Sequence, residues 1–315
     1  MSKGIRAITG EMKRRGPGLY LRGLAMGAAD VVPGVSGGTV AFITGIYDEL
    51  VGTLAGVNAG LVSRLLRGRL VEVATGINAG FLLPLLAGVA TAIFSLARLI
   101  HYLFEFHPQP IWGLLTGLMV ASVIVVARRI DGWGLSAFVA VALGLAAGYG
   151  LAVAIPTQTG PELYKFVLSG AVASVAMILP GISGSLLLLM MGKYQQVLDA
   201  VHELDFVLLI VFGLGFVAGI LTFSRLLKWL LASYHTVTMA LLVGLMAGSI
   251  RKVWPFRGVV PLEQEAGEAV GLPVQAELVL PAELSTEVVV SLLLMVVGVI
   301  AVILLEKRHG GGHES

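Results

Sequence analysis

Two nearly identical Pro-Gly motifs interrupt apolar stretches of this 315-residue chain. The first is PGVSGG at residues 33–38, and the second is PGISGS at residues 180–185. Proline has no N–H to donate and its ring clashes with the preceding helical turn, so each motif ends the helix that leads into it. A short apolar run follows each motif and ends in Gly-x-Tyr, at Tyr47 and Tyr194. The fold must therefore accommodate two broken helices in apolar surroundings.

The composition indicates that these surroundings are a membrane. Hydrophobic residues make up 57% of the chain and charged residues 13%, whereas charged residues are about a quarter of a soluble domain. The net charge of +2 gives no indication of a nucleic-acid partner, and the absence of cysteine excludes disulfides and thiolate metal sites. We predict an all-α polytopic membrane protein with no cofactor and no metal.

The apolar runs that follow the motifs are too short to cross a membrane. Residues 39–46 rise only about 12 Å as a helix, while the hydrocarbon core of a bilayer is about 30 Å thick. A re-entrant helical hairpin fits this length, with two half-helices that enter and leave on one side and the motif at the tip. An irregular tip is tolerated at that depth only where protein or a water-filled cavity surrounds it. We predict one such hairpin at each motif.

The motifs belong to a longer internal duplication. Each begins fourteen positions before its tyrosine, and the two copies are offset by 147 residues. Farther along, GLLTGLMVAS at residues 113–122 matches ALLVGLMAGS at residues 240–249. Similarity over this length indicates a repeat. Each copy then holds one hairpin and three transmembrane helices, predicted at residues 74–103, 112–127 and 135–155 and at residues 205–231, 236–250 and 287–305.

Three crossings per copy place the second copy upside down, so we predict two inverted repeats. Cytoplasmic loops are enriched in Lys and Arg, and this rule is satisfied when both termini are cytoplasmic and the protein lies in the cytoplasmic membrane. The predicted units are a basic cytoplasmic arm (residues 1–16), a first repeat (17–156), a second repeat (161–306) that contains an external loop (251–286), and a cytoplasmic tail (307–315).

Inverted hairpins predict an anion-binding site at the membrane centre. The outgoing half-helix of each hairpin begins at the tip, so its free N–H groups and positive dipole end point into the middle of the bilayer. Glycine lets a ligand approach the backbone, and Ser and Thr donate hydrogen bonds or cap the helix. A packing kink and serines that bond back to helix carbonyls are the structural alternatives. The candidate residues are Ser36, Gly37, Gly38, Thr39, Ser183, Gly184 and Ser185.

Charged residues within the apolar segments are further candidates. Asp30 has no acidic counterpart in the second copy, and a carboxylate at membrane depth is costly, so we assign it to coupling by a proton or a sodium ion. Arg98 and Arg225 recur in both copies, either as ligands of the anion or as side chains that extend to the interface. Tyr47 and Tyr194 are predicted to be interface anchors.

Three stretches resemble one known family. They are GAADVVPGVSGGTVAFITGIYDELV at residues 27–51, ILPGISGSLLLLMMGKY at residues 178–194 and GLMAGSIRKVWPF at residues 244–256. They are similar to the bacterial and archaeal polyprenyl-phosphate transporters, and the resemblance covers residues 17–306. It implies that the chain moves undecaprenyl phosphate, the carrier lipid of cell-wall synthesis, from the outer to the inner leaflet for reuse. The lipid and the bilayer are then its partners, and the anion is the lipid phosphate.

An enzyme is the main alternative. Membrane phosphatases that act on undecaprenyl pyrophosphate also use inverted repeats with re-entrant hairpins, and their Pro-Gly-x-Ser-Arg-Ser signature resembles PGISGS. Here Gly184 replaces the arginine of that signature and no paired glutamates precede Pro33, so Ser183 lacks activation and charge stabilisation. We therefore predict no catalytic residues and no enzyme. An ion-coupled carrier of a small soluble anion is the third possibility, and it would lack a lateral opening toward lipid.

Overall fold

The computed structural model is almost entirely helical. It describes residues 3–31, 36–154, 159–160, 162–258, 277–279, 281 and 283–310. Within these ranges the chain forms fourteen α-helices and one pair of two-residue antiparallel strands, β1 (Arg257–Gly258) and β2 (Glu277–Leu278). The prediction of an all-α protein is confirmed for this part of the chain.

The helices fall into two sets, one before and one after residue 160. The first set is α1 (Lys3–Val31), α2 (Gly37–Ile43), α3 (Tyr47–Gly56), α4 (Ala59–Leu66), α5 (Leu70–Gly76), α6 (Ala79–Phe106), α7 (Pro108–Arg128) and α8 (Leu135–Val153). The second set is α9 (Leu163–Ile178), α10 (Gly184–Met190), α11 (Tyr194–His202), α12 (Phe206–Ser233), α13 (His235–Val253) and α14 (Thr286–Gly310).

Six of the described helices are long and apolar enough to cross a membrane: α6, α7, α8, α12, α13 and α14. They correspond to the six predicted spans, so a multi-pass membrane protein is confirmed. Their outward surfaces are strongly apolar, with Phe94 88% and Leu135 81% exposed. Such surfaces match a lipid environment.

The first span begins later than predicted, because the chain turns before it. Residues 70–76 form the separate helix α5, and Asn78 adopts a left-handed backbone conformation with φ of 49°. Asparagine tolerates this conformation better than most residues, since its short amide can hydrogen-bond locally. The turn therefore separates α5 from α6, which begins at Ala79.

The basic residues near the amino terminus lie on the same helix as Asp30. α1 runs from Lys3 to Val31 with Pro17 inside it, so the predicted boundary at residue 16 is not a break in the helix. Arg15 of α1 forms an ion pair with Glu49 of α3, with Nη2 and Oε2 2.6 Å apart. The helix thus connects the arginine-rich end of the molecule to the first Pro-Gly motif.

Four helix pairs pack closely, one pair within each set and two pairs that join the sets. α1 packs along α6 and α9 along α12, while α7 packs along α14 and α8 along α13. Glycines allow this close packing, because a side chain at Gly23 would collide with the Leu85 carbonyl and one at Gly215 with the Val167 carbonyl. When the two copies of the internal duplication are aligned, the helices α1, α6, α7 and α8 of the first copy correspond to α9, α12, α13 and α14 of the second. Exchanging the two sets therefore leaves these helix pairs unchanged.

The largest buried cluster lies around the two motifs. It includes Phe42 and Tyr47 after the first motif, Ile178 and Ile182 beside the second, and Leu242 of α13. Irregular backbone at membrane depth requires protein or a water-filled cavity around it. This cluster encloses the described parts of both motifs in protein.

Candidate functional site

The two motifs, offset by 147 positions in sequence, lie against each other. The Gly181 N–H donates a hydrogen bond to Thr39 Oγ1 at 2.8 Å, and Ser36 Oγ donates to the Leu179 carbonyl at 3.3 Å. Gly38 also lies close to the chain that leads into the second motif, because a Cβ at Gly38 would lie 2.8 Å from the Ile178 carbonyl oxygen. The structure thus brings residues of the two copies together. Residues 32–35, with Pro33 and Gly34, lie outside the described part of the chain.

The amino-terminal end of α2 is capped by two side chains. The Gly37 N–H donates to Asp30 Oδ1 at 2.7 Å, and the Gly38 N–H donates to Ser36 Oγ at 3.1 Å. Ser36 has the extended backbone conformation of an N-cap residue. The sequence predicts that these N–H groups are free, but a carboxylate and a hydroxyl accept their hydrogen bonds. The carboxylate at Gly37 is an anion at a helix amino terminus, where the dipole favours negative charge.

The amino-terminal end of α10 is arranged differently. Ser183 stands at the N-cap position without making a capping hydrogen bond, and its Oγ lies 2.9 Å from Ser185 Oγ. Among the described residues, no acceptor contacts the N–H groups of Gly184 and Ser185. A Cβ at Gly184 would lie 2.7 Å from the Ala173 carbonyl oxygen. The second tip therefore has donors that remain available, whereas those of the first tip are occupied.

Gly181 sets the direction of the backbone at the second tip. Its φ is +86°, a conformation that L side chains rarely adopt. A Cβ there would also lie 2.8 Å from the Cα of Met246 in α13. Glycine is required on both grounds, and the resulting turn lets its N–H reach Thr39.

Tyr47 also connects the tips, which the sequence analysis missed. It is only 4% exposed, so the prediction of an interface anchor is wrong for this residue. Its hydroxyl donates to the Ile178 carbonyl at 3.1 Å, and its ring centroid lies 4.6 Å from that of Phe42. Ile178 ends α9, where the last carbonyls have no partner within the helix. The constant distance from each motif to its Gly-x-Tyr was the available signal. Tyr194, the counterpart of Tyr47, is 37% exposed.

The tips are closed in this conformation. Ser36 is 0% exposed, and Thr39 and Ser183 are each 4% exposed. Within the described ranges, no group of three His, Cys, Asp or Glu side chains is placed to hold a metal ion. A ligand could reach these hydroxyl groups only after the two tips separate.

Arg225 contacts α3 rather than the tips. It is exposed, and its Nη2 donates to the Val57 carbonyl at 2.5 Å. Val57 is the C-cap of α3, where the negative end of the helix dipole favours a cation. Arg98 lies on α6, and its side chain is outside the described part of the structure.

Lys193 is a fully buried cation at the end of the segment that follows the second motif. Its Nζ donates to the Gly160 carbonyl at 2.5 Å and to Gln196 Oε1 at 2.9 Å, and it lies 3.9 Å from the centroid of the Phe166 ring. These contacts compensate for the loss of water around the charge. Lys193 therefore anchors the connection into α11 and lies apart from the residues that join the two tips.

Comparison with known proteins gives consistent matches along most of the chain. Residues 26–270 match the undecaprenyl phosphate translocase-like family. A polyprenyl-phosphate transporter of Vibrio cholerae is 42% identical over 295 residues, which cover 91% of this chain and 95% of the relative. A polyprenyl-phosphate transporter of Staphylococcus aureus is 30% identical over 254 residues, which cover 75% of this chain and 85% of the relative. No solved structure matches the chain.

Proposed function

Since this chain belongs to the undecaprenyl phosphate translocase-like family, we propose that it carries polyprenyl phosphate from the outer to the inner leaflet of the cytoplasmic membrane. This movement returns the carrier lipid for reuse in cell-envelope synthesis. The family is one of transporters and not of enzymes. The observation that carries the proposal is the direct contact between the two Pro-Gly motifs and their flanking residues, where Gly181 bonds Thr39 and Ser36 bonds Leu179.

The phosphate headgroup passes between the tips while the prenyl tail stays in lipid. At the second tip it accepts hydrogen bonds from the N–H groups of Gly184 and Ser185 and from the Ser183 hydroxyl. At the first tip it replaces the Asp30 carboxylate on the Gly37 N–H, since both are anions that accept from the same donor. The hydrogen bond between Gly181 and Thr39 and the one between Ser36 and Leu179 must break for the headgroup to enter. The closed tips therefore belong to one state of an alternating-access cycle.

The two halves are inverted repeats, each with one re-entrant hairpin and three spans, and both termini are cytoplasmic. The exchange pattern of the helix pairs supports this arrangement, because α1 with α6 corresponds to α9 with α12, and α7 with α14 corresponds to α13 with α8. In an inverted repeat the two hairpins enter from opposite faces, so their tips meet near the midplane. The headgroup can then approach the same site from either leaflet.

Asp30 couples transport to a proton or sodium gradient. We expect Asp30→Asn to move polyprenyl phosphate at a rate that no longer responds to either gradient. The amide oxygen of asparagine still accepts the hydrogen bond from the Gly37 N–H, but the amide neither takes up a proton nor carries a negative charge that binds sodium. The measurement is leaflet exchange in proteoliposomes with and without an imposed proton or sodium gradient. Asp48→Asn, on the exposed side of α3, is the matched control and should respond like the wild type. A gradient response that survives in Asp30→Asn would exclude Asp30 from coupling.

Transport and hydrolysis are separated by one assay with two arms. The Ser183 hydroxyl contacts the Ser185 hydroxyl and no base among the described residues, which supports transport over hydrolysis. Proteoliposomes should exchange polyprenyl phosphate between leaflets, while a parallel sample with polyprenyl pyrophosphate should release no inorganic phosphate. Phosphate release without exchange would establish the phosphatase instead. Uptake of inorganic phosphate without lipid exchange would establish a carrier of small anions.

A further inference from the structure

A polar cleft lies between α3, α12 and the turn that precedes α6. Its volume is about 340 Å³, and we call it the Lys228 cleft. It is separate from the two tips, and none of its lining residues belongs to either motif. The lining residues include Glu49, Gly52, Thr53, Gly56, Asn78 and Lys228.

The carboxylate in this cleft is already paired. Glu49 accepts two hydrogen bonds from Arg15, at 2.6 and 3.1 Å, and a longer one from Asn78 Nδ2 at 3.4 Å. The hydrogen bond with Glu49 raises the pKa of Arg15 above its ordinary value, so this arginine stays charged. It also pairs with Glu11 at 3.1 Å and therefore offsets only part of the charge on Glu49. The repulsion between Glu49 and an incoming anion is therefore reduced.

Lys228 is the cation that remains available. Among the described residues it has no ion pair and no hydrogen bond. Arg225 lies three residues earlier on the same helix, and its Nη2 bonds the Val57 carbonyl, which leaves its other N–H groups free for further bonds. Two positive charges thus face the carboxyl-terminal half of α3 from one side of α12.

The α3 wall of the cleft can receive a ligand. A Cβ at Gly52 or Gly56 would meet nothing within 4 Å, so both positions open onto free space. Thr53 Oγ1 accepts from Asn78 Nδ2 at 3.4 Å, and within the described part of the chain its own O–H has no acceptor. The cleft therefore offers donors from the Lys228 ammonium and the Thr53 hydroxyl, and Arg225, which does not line the cleft, adds a second positive charge on the same helix.

Neighbouring aromatic residues place the cleft at the level of lipid headgroups. Trp229 follows Lys228, and its ring centroid lies 5.6 Å from that of Tyr234, just beyond the end of the membrane-spanning helix α12. Trp and Tyr are enriched where the membrane meets water. Lys228 lies about 8 Å from the end of α12, given a rise of about 1.5 Å per residue.

We propose that the Lys228 cleft binds the terminal phosphate of a prenyl phosphate, at the membrane surface where this lipid enters or leaves the path between the tips. The inference rests on the proposed function and adds a second binding site for the same substrate. A phosphate monoester has three terminal oxygens and a charge of about −1.5 to −2, whereas an ordinary phospholipid phosphodiester has fewer free oxygens and a single charge. The three N–H donors of the Lys228 ammonium, together with the Thr53 hydroxyl, match the oxygens of the monoester.

The test is binding of farnesyl phosphate to the purified full-length protein in detergent, with Lys228→Gln compared with the wild type. We expect Lys228→Gln to weaken binding about tenfold, as for the loss of one charge-assisted contact. Lys228→Arg should bind like the wild type because it keeps the charge. Arg129→Gln removes the same charge from an exposed position at the end of α7 and should also bind like the wild type. Repeating the comparison in a Gly37→Val background assigns the loss to the cleft rather than to the tips.

Three results would overturn the proposal. The first is equal affinity of Lys228→Gln and the wild type. The second is an equal loss of affinity for phosphatidylglycerol in nanodiscs, which would make the cleft a general site for anionic lipids. The third is displacement of farnesyl phosphate by equimolar inorganic phosphate, which would make the ligand a soluble anion. If the wild type binds farnesyl phosphate at the cleft but exchanges no polyprenyl phosphate, the proposed function is refuted, whereas the proposed binding site in the cleft still holds.

Discussion

Gly37→Val is expected to abolish leaflet exchange of polyprenyl phosphate while the protein still folds and inserts. A Cβ at this position would lie 2.5 Å from Asp30 Oδ2, and the branched valine side chain would extend farther into the same space. The Asp30 carboxylate, which accepts a hydrogen bond from the Gly37 N–H, would have to move away. The valine side chain would then shield this N–H group from any other anion. The first tip would then have no place for a phosphate.

Gly184→Val at the second tip is also expected to abolish exchange, because a Cβ there would lie 2.7 Å from the Ala173 carbonyl oxygen of α9 and would displace the backbone beside the free N–H groups of α10. Exchange is measured in proteoliposomes that contain equal amounts of each folded variant. Gly213→Val is the matched control, because it lies in the membrane helix α12 and a Cβ there meets nothing within 4 Å. This control should exchange lipid at the wild-type rate. Normal flux in both tip variants would contradict the assignment of the site.

Gly148→Leu should have the largest effect on stability. Gly148 of α8 packs against the backbone of α13, and a Cβ there would collide with the Leu245 carbonyl. A leucine would force apart one of the two most extensive helix pairs that join the halves of the chain, and the lost packing and overpacking together should cost about 3 kcal/mol or more. The thermal unfolding midpoint of the purified protein and its yield as a single species should both fall.

Gly150→Leu provides the control for this prediction on the same helix. It lies two positions away, on another face of α8, and a Cβ there meets nothing within 4 Å. It should therefore unfold at the wild-type temperature. If Gly148→Leu and Gly150→Leu were equally stable, the close packing of α8 on α13 would be refuted.

Much of the architecture follows from local properties of the sequence. The six spans are long apolar segments, and a helix is the only single-segment structure that satisfies its own backbone in lipid. The short helices α2 and α10 begin at Gly37 and Gly184, within two residues of where the motifs predicted a helix to begin. Proline and glycine act over one helical turn, so their effect can be derived without knowledge of the tertiary fold.

The contacts of the site depend on the tertiary fold and cannot be derived from local sequence. The donation from Gly181 to Thr39 joins residues 142 positions apart. Nothing local distinguishes Tyr47 as a buried donor from Tyr47 as an interface anchor, because an amphipathic ring suits both places. Arg225 recurs in the duplication, but its contact with Val57 arises because α3 packs against α12.

The most direct test of the central claim is to find which residues contact the lipid phosphate. A polyprenyl phosphate with a photoreactive group on its first isoprene unit would be bound to the wild type in proteoliposomes and illuminated, and the labelled peptides identified by mass spectrometry. We predict labelling within residues 36–39 and within residues 181–185, and its loss at both in Gly37→Val. Label absent from both tips in a protein that still exchanges the lipid would contradict the account.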